Sequence, residues 1–458
     1  MTRKHKSKMY KKEIKNKTSY LTMLSEFNKL FFDMSSIHGF PHISQEGRHP
    51  IERVLWVAIV AVAVYGAAIL SSLTLTRYRE NPTVISMERD RFSWNTSFPP
   101  VTICATKKYD PIVLDDYVQK NDSIKDKELF KKFIISLTQA SYLNLETVVD
   151  YEGIPGEEFI NLINQFKFRF QVSTTNSAGQ EKAVRIEPTY TEMGICYTVN
   201  SHIAIYNSYE YWSNGSWKLL PEKDIFYINP LDGEVFANVI NITSGYQIYF
   251  HGPYEFVDIA SKNLYTEEST FLQMYLSALS IFASDRTKGL SPKQRKCRFY
   301  YESNLSHFPV YSYVLCRMEC RAALSKKLCG CLPHFYRRLG EEKVCDVKGL
   351  HCLAKHKEKL IFLKEQCSCI ANCEEAVYVV EFLDEREWFL GSNLQWGMVE
   401  YPKMRLKRDV IFGFSDLLVY IGGMAGLFLG CSVLSFIEIV YFFTLRLFWF
   451  IVRYDRNK

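Results

Sequence analysis

The sequence predicts a membrane protein in which two transmembrane helices flank a large, disulfide-rich α+β domain on the extracellular side. Two long apolar runs lie near the ends of the chain, twelve of the thirteen cysteines fall between them, and the intervening segment mixes strand-like with helix-like periodicity. With 47% hydrophobic residues and only 15 Pro in 458 positions, the composition is that of an ordered protein. The net charge of +6 is modest and not gathered into a basic stripe interleaved with aromatics, so nucleic acid is excluded as a partner and membrane lipid is the expected one.

Residues 1–50 read as a cytoplasmic N-terminal segment and 51–75 as the first span. No charge interrupts the chain between Arg53 and Arg77, a length that suits a bilayer better than a buried globular helix. The run starts too late and is too long for a signal peptide. Residues 1–17 hold eight Lys/Arg against Glu13, and the 446–458 tail holds Arg446, Arg453, Arg456 and Lys458 against Asp455. The positive-inside rule then places both termini in the cytoplasm, as expected of a two-span plasma-membrane protein.

Residues 76–415 form the predicted extracellular domain. Its cysteines, Cys104 to Cys373, are even in number, and sequons occur at Asn95, Asn121, Asn214, Asn241 and Asn304, whereas the sequon at Asn16 falls on the cytosolic side. "KFRFQVS" and "GYQIYF" alternate as strands do; "STFLQMYLSALSIFA" and "YVLCRMECRAALSKKL" have helical spacing and length. "DRTKGLSPKQRK" reads as an exposed seam. Cys316 and Cys320 lie about 6 Å apart along a helix, and Cys367 and Cys369 about 6.8 Å apart along a strand. Two adjacent rungs, 316 with 369 and 320 with 367, would staple one to the other. The rival is a zinc site built from Cys329-Gly330-Cys331 and the later cysteines, which lacks the usual ligand spacing.

Signatures of an enzyme are missing: no zinc-protease motif, no phosphate loop and no nucleophile elbow occurs, because Gly430-Cys431-Ser432 is followed by Val433 and Leu434. His251 and Glu255 stand near each other, where a packed histidine is the plainer expectation than an acid-base pair. No catalytic residue, metal or cofactor is expected.

The second span covers 416–445, and Glu438 is its one charge between Leu417 and Leu445. Gly422, Gly426 and Gly430 recur every four residues and would line one helix face with bare backbone. Ser432 adds a hydroxyl, and Glu438 an ionisable group that is costly at membrane depth unless it faces water or a partner. In a symmetric assembly a ring of Glu438 carboxylates would attract cations.

These residues resemble the degenerin/epithelial sodium channel superfamily, and the second span is most similar to the insect pickpocket branch. The resemblance runs through His38-Gly39, "FPPVTIC" (98–104), "GICYTVN" (194–200), "HGPYE" (251–255), "LSPKQRKCRF" (290–299), "CRMECR" and "CGCLP" (316–333), "CSCIANC" (367–373) and "DLLVYIGGMAGLFLGCSVLSFIEIVYFFTLR" (416–446). It implies a homo- or hetero-trimer, made with related subunits, whose extracellular domain is an acid-sensing-channel-like hand of palm, β-ball, finger, thumb and knuckle. It also implies disulfides Cys104–Cys196, Cys297–Cys373, Cys329–Cys352 and Cys331–Cys345 beside the two rungs, Cys316–Cys369 and Cys320–Cys367.

By the same resemblance, Gly430-Cys431-Ser432 corresponds to the family's selectivity filter, Glu438 to its pore carboxylate and His38-Gly39 to its gating motif. Val419 takes the position where a small side chain lets closed helices approach, so a looser closed state is expected. The implied function is a pore-forming subunit of a sodium-preferring cation channel, sensory and amiloride-sensitive, opened by an extracellular ligand or a mechanical tether; sodium is the permeant ion, not a cofactor. No histidine lies between His49 and His202, so the acid-sensing histidine pair is missing. The rivals are an auxiliary subunit conducting only in a hetero-trimer, a two-span scavenger-type receptor, and an ATP-gated channel whose basic and cysteine motifs are not found.

Overall fold

The computed structural model describes residues 23–456 except 90–91, 123, 170, 177–180, 183–185, 215–218, 221–224, 243 and 364–366. The basic run 1–17, the sequon at Asn16, the side chain of Asn241 and Lys458 lie outside the described residues. The chain divides into two compact units, one made of 1–83 with 410–458 and the other of 84–409.

The first unit is helical. Pro50–Glu80 is a single helix of 31 residues, begun by a proline at its first position and by His49, whose ring accepts from Ile51 N–H. Its most apolar stretch has a mean hydropathy of 2.4 and is unburied within one chain, as a lipid-facing or subunit-facing helix would be. The later apolar sequence forms helices Phe414–Leu429 and Val433–Tyr441, continued through a wide π-type turn at Phe442–Arg446 into Leu447–Arg456. The continuous second helix expected from the glycine spacing is therefore interrupted. Gly430 does not extend the Gly422–Gly426 face; it ends the first helix with φ +63°, a left-handed conformation that glycine adopts without a Cβ penalty. Ser432 then caps the next helix from outside it.

The second unit contains two principal sheets. The larger runs Thr83–Glu88, Arg405–Val410, Thr270–Ala283, Ser392–Met398, Val235–Ile242, Gln171–Asn176 and Glu181–Lys182, with Glu375–Glu387 paired to Thr270–Ala283. The other is antiparallel: Leu264–Thr266, Tyr246–Phe250, Val101–Ala105, Gly194–Val199 and Ile186–Thr191. Residues of both, among them Ile103, Val199, Ile248, Leu272, Met274 and Trp396, make one shared core. A second core gathers the helices Lys127–Thr138, Phe159–Phe166, Tyr313–Cys329 and Val347–Lys355.

Three local expectations are corrected here. "STFLQMYLSALSIFA" is a strand, Thr270–Ala283, not a helix. Leu272, Met274, Leu276 and Ala278 are buried at period two, and partners on both sides supply the backbone hydrogen bonds that a helix would have made internally. Phe271, Tyr275 and Leu279, spaced by four, gave the helical impression. Cys367 and Cys369 lie on no strand. The segment 367–371 carries no regular structure and is held without any ladder: Tyr311 OH donates to Ile370 O (2.6 Å) and accepts from Ile370 N–H (2.9 Å). The "DRTKGLSPKQRK" seam folds into short helices and buries Arg295, which donates to Leu290 O and Cys297 O and pairs with Glu302.

The structure joins Cys104–Cys196, Cys297–Cys373, Cys316–Cys369, Cys320–Cys367, Cys329–Cys352 and Cys331–Cys345, with Cα separations from 4.4 to 6.2 Å. Cys329, Cys352 and His356 cluster closely enough for a metal. With both of its sulfurs and that of Cys331 spent in disulfides, the zinc alternative has no thiolates left. Asn95, Asn214 and Asn304 are exposed and Asn121 is half-buried.

Candidate functional site

The site is the meeting of two sequence-distant segments within the helical unit. Before the long helix Pro50–Glu80, the chain is helical over 23–34, turns through Ser35–Gly39 and makes a short helix Phe40–Ser44. Gly39 has φ +92°, and a Cβ there would come 2.7 Å from Val60 Cγ2. Conformation and close approach to the long helix both demand glycine. His42 packs at a tilt on Trp56 at 4.5 Å, which ties the short helix after the turn to the long helix, and meets Arg48 Nη2 at 2.9 Å just before it.

This turn presents its backbone to the break in the later span. A helix C-terminus leaves carbonyls without intrahelical donors. The Leu429 carbonyl receives His38 N–H at 3.0 Å. Gly430 N–H returns to Gly426 O at 2.9 Å, and Cys431 N–H to Ala425 O at 3.2 Å. A Cβ on Gly430 would land on the His38 imidazole, so this glycine is needed for space as well as for φ. Gly66 of the long helix likewise faces the Phe428 ring, 2.9 Å from where its Cβ would be.

Beyond the break a serine cluster restarts the helix. Ser432 Oγ accepts from Ser435 N–H at 3.4 Å, and Ser432 N–H donates to Ser435 Oγ at 3.1 Å. Ser36 Oγ donates to the same Ser435 Oγ at 2.8 Å, so one hydroxyl serves as the helix cap's partner and as the anchor of the N-terminal turn. Lower on the helix, Phe31 meets Phe442 and Phe443 at 5.5 and 5.2 Å, and Phe27 meets Phe443 and Phe450 at 6.3 and 5.4 Å. These aromatic pairs pack the 23–34 helix along the end of the chain.

Of the residues singled out from sequence, His38, Gly39, Gly430, Cys431 and Ser432 come together here. Cys431 is the free cysteine of the described residues, half-buried, with its thiol 3.8 Å from Leu429 O. Glu438 and Val419 stand elsewhere on the interrupted helix pair, both exposed on the single chain, Val419 to 72%. Ser36, Ser435 and the Leu429 carbonyl were not singled out; a Ser-x-x-Ser sequence after Gly-Cys is a helix-start signal that marks Ser435 alone among them.

His251 and Glu255 hold structure, not a reaction. The His251 ring bonds Thr102 Oγ1 and Gly252 O, both at 2.9 Å, and burial lowers it to about 4. Glu255 accepts from Gly252 N–H at 3.3 Å and from Asn372 at 3.2 Å. A second buried network centres on Arg321, 0% exposed, which bonds Glu192 at 2.5 Å, Asp258 at 3.0 Å and Leu360 O at 2.9 Å. His307 bridges Glu319 at 2.9 Å and Glu342 at 3.1 Å; burial opposes its charge, but the bonds to these carboxylates win and raise it above the ordinary histidine range.

The model of the amiloride-sensitive sodium channel family matches residues 31–442. Curated relatives include the sodium channel protein Nach of Drosophila melanogaster, 22% identical over 91% of this chain and 86% of its own. Pickpocket protein 11 of the same fly is 22% identical over 91% of this chain and 76% of its own. The bile acid-sensitive ion channel of Mus musculus is 22% identical over 93% and 89%. With its two long apolar helices, its six disulfides and a family match that spans nearly all of its length, the chain belongs to the amiloride-sensitive sodium channel family, a family of channels and not of enzymes.

Proposed function

We propose that this chain is the pore-forming subunit of a sodium-preferring cation channel of the plasma membrane, with both termini cytoplasmic and residues 76–415 outside. The single observation that carries this reading is the interruption at Gly430-Cys431-Ser432, centred in the charge-poor run Leu417–Leu445. Non-helical backbone at membrane depth is tolerated only where it is buried in protein or lines water. One side of the break is covered by His38 and Ser36. The other side, in a trimer, faces two further copies and a water-filled axis.

On this reading Gly430, Cys431 and Ser432 from three subunits form the narrowest ring, with backbone oxygens replacing part of an ion's hydration shell. Glu438, one or two turns nearer the cytoplasm, contributes a carboxylate ring that concentrates cations. The His38-Gly39 turn props the filter from behind, so a displacement of the N-terminal segment reaches the ion path through two hydrogen bonds, His38 N–H to Leu429 O and Ser36 Oγ to Ser435 Oγ. The hand-like arrangement of the large domain, an extracellular chemical or mechanical stimulus, a sensory role and block by amiloride follow from the family and complete the proposal.

The test is a voltage clamp of cells expressing this chain, with external sodium replaced by a large organic cation, beside Glu438→Ala and with surface expression verified for both. Sodium-dependent inward current whose permeation changes with Glu438 is the expected result. Silence at the surface, alone and with related subunits across mechanical and chemical stimuli, would remove the pore reading; current only with a relative would assign the auxiliary role.

A further inference from the structure

Within the unit 84–409, one buried side chain joins three segments that the pore reading does not use. The helix Tyr313–Cys329 carries Glu319 and Lys326, two turns apart on one face, and is followed by a loop from Leu332 to Val344. The Cys331–Cys345 disulfide and the bond from Leu332 N–H to Lys343 O, 2.9 Å, close the base of this loop. Its tip, 338–343, is mostly exposed. There Glu342 accepts from Leu339 N–H at 3.0 Å and reaches out to Lys326 and to His307 Nε2, the latter at 3.1 Å.

His307 is 3% exposed and belongs to the irregular segment 302–312. Phe308 and Val310 anchor that segment in the core around the helices, and Ser303 Oγ donates to Phe308 O at 2.7 Å. From the helix, the Glu319 carboxylate accepts from His307 N–H at 3.0 Å, from Ser306 N–H at 3.3 Å and from His307 Nδ1 at 2.9 Å. Glu302, on the same segment as His307, pairs with Arg295 instead. Both ring nitrogens thus face carboxylate oxygens, and both can donate only in the imidazolium. Burial opposes that charge, but the two carboxylates outweigh it and hold the proton beyond the ordinary histidine range.

We infer that His307 is an alkaline-released latch: its imidazolium fastens the 338–343 tip to the segment 302–312, and the loss of one proton to hydroxide unfastens it. Glu319 is held by two backbone N–H groups of His307's own segment, so Nδ1 keeps its hydrogen and Nε2 gives one up. Nε2 then turns a bare lone pair toward the Glu342 carboxylate, two acceptors 3.1 Å apart with no hydrogen between them. Because folding raises this histidine, its contribution is complete below 6.5 and is lost as pH rises through the raised value. Acid therefore leaves the latch closed and alkali opens it. Lys326 and the disulfide still tether the loop, so the tip alone is freed.

The test is hydrogen–deuterium exchange of the full chain in lipid nanodiscs, read by mass spectrometry at pH 6 and pH 9 and normalised at each pH to an unstructured peptide. Amides of 338–343 should exchange about tenfold faster at pH 9, as the loss of a charge-assisted hydrogen bond implies. The strand Thr270–Ala283 should not change, and its protection verifies that each variant is folded. His307→Gln, neutral at every pH, should abolish the step. Glu342→Gln, a change nearer the surface, removes one of the two carboxylates that retain the proton and should shrink it. Lys326→Gln should loosen the tip at both pH values and leave the step in place. No step in the parent, or a step that survives His307→Gln, overturns the inference. Exchange is read without current, so the pore reading and this one fail separately.

Discussion

Acidification should destabilise the 84–409 unit through His251, and His251→Gln should remove that share of the loss. The Gly252 carbonyl can only accept, so Nδ1 carries the proton, and Nε2 accepts from the Thr102 hydroxyl, itself 2.9 Å from Thr198 Oγ1. Protonation would put a second N–H against this hydroxyl chain in a buried site. The folded value of about 4 lies below the ordinary 6.5. Stability from this depressed histidine is therefore fully present above 6.5 and lost as pH falls toward 4.

Between pH 7 and 4.5 the loss from this one group integrates to about 2 kcal/mol. In a domain of this size that is a fall of about 4 °C in melting temperature. Glu192 and Glu255, both raised by burial, act in the opposite sense, but they are common to parent and variant and cancel in the comparison. The assay is thermal unfolding of the purified full chain, disulfides intact, at pH 7 and 4.5. Thr102→Ser, which retains the hydroxyl, should behave as the parent. If His251→Gln loses as much stability on acidification as the parent does, the buried neutral histidine is not what titrates.

Three further outcomes follow from the helical unit. Gly430→Ala meets both a left-handed φ, costing about 1 kcal/mol or more, and the His38 ring; sodium current should fall at unchanged surface expression, with partial recovery when His38→Ala is added. Ser36→Ala and Ser435→Ala should each alter open probability, and a double-mutant cycle should show them coupled by about 1 kcal/mol; additive effects would mean the 2.8 Å bond does not bear on gating. Val419→Ala should reduce resting current by allowing tighter closure, and an unchanged resting current in recordings would end that idea.

Much of the architecture is written locally. The uncharged run between Arg53 and Arg77 yields a helix because its side chains favour lipid over water, and Cys316 and Cys320, one turn apart on a helix, pair with Cys369 and Cys367 in the order the spacing predicts although the latter two lie on no strand. The failures have physical causes too. Thr270–Ala283 satisfies either period by its apolar residues alone, and only the neighbouring strands decide between them. Gly430 continues a four-residue glycine spacing, yet the Ser432–Ser435 cap and the approach of His38 make it a terminus. The bond from His38 to Leu429 joins opposite ends of the chain, and no local pattern encodes such a contact.

The hydrogen bond between His38 and Leu429 also sets an order of events during synthesis. The turn that bears His38 leaves the ribosome early, and the carbonyl it caps is made only after residues 84–409 have been translated. Until then the Pro50–Glu80 helix waits in the bilayer without the partner whose Phe428 fills the hollow at Gly66. Closure of the helical unit is thus the last act of biogenesis. A chain truncated before Phe428 would keep its large folded domain and lose the His38–Leu429, Ser36–Ser435 and Gly66–Phe428 contacts that join its beginning to its end, a defect confined to the helical unit.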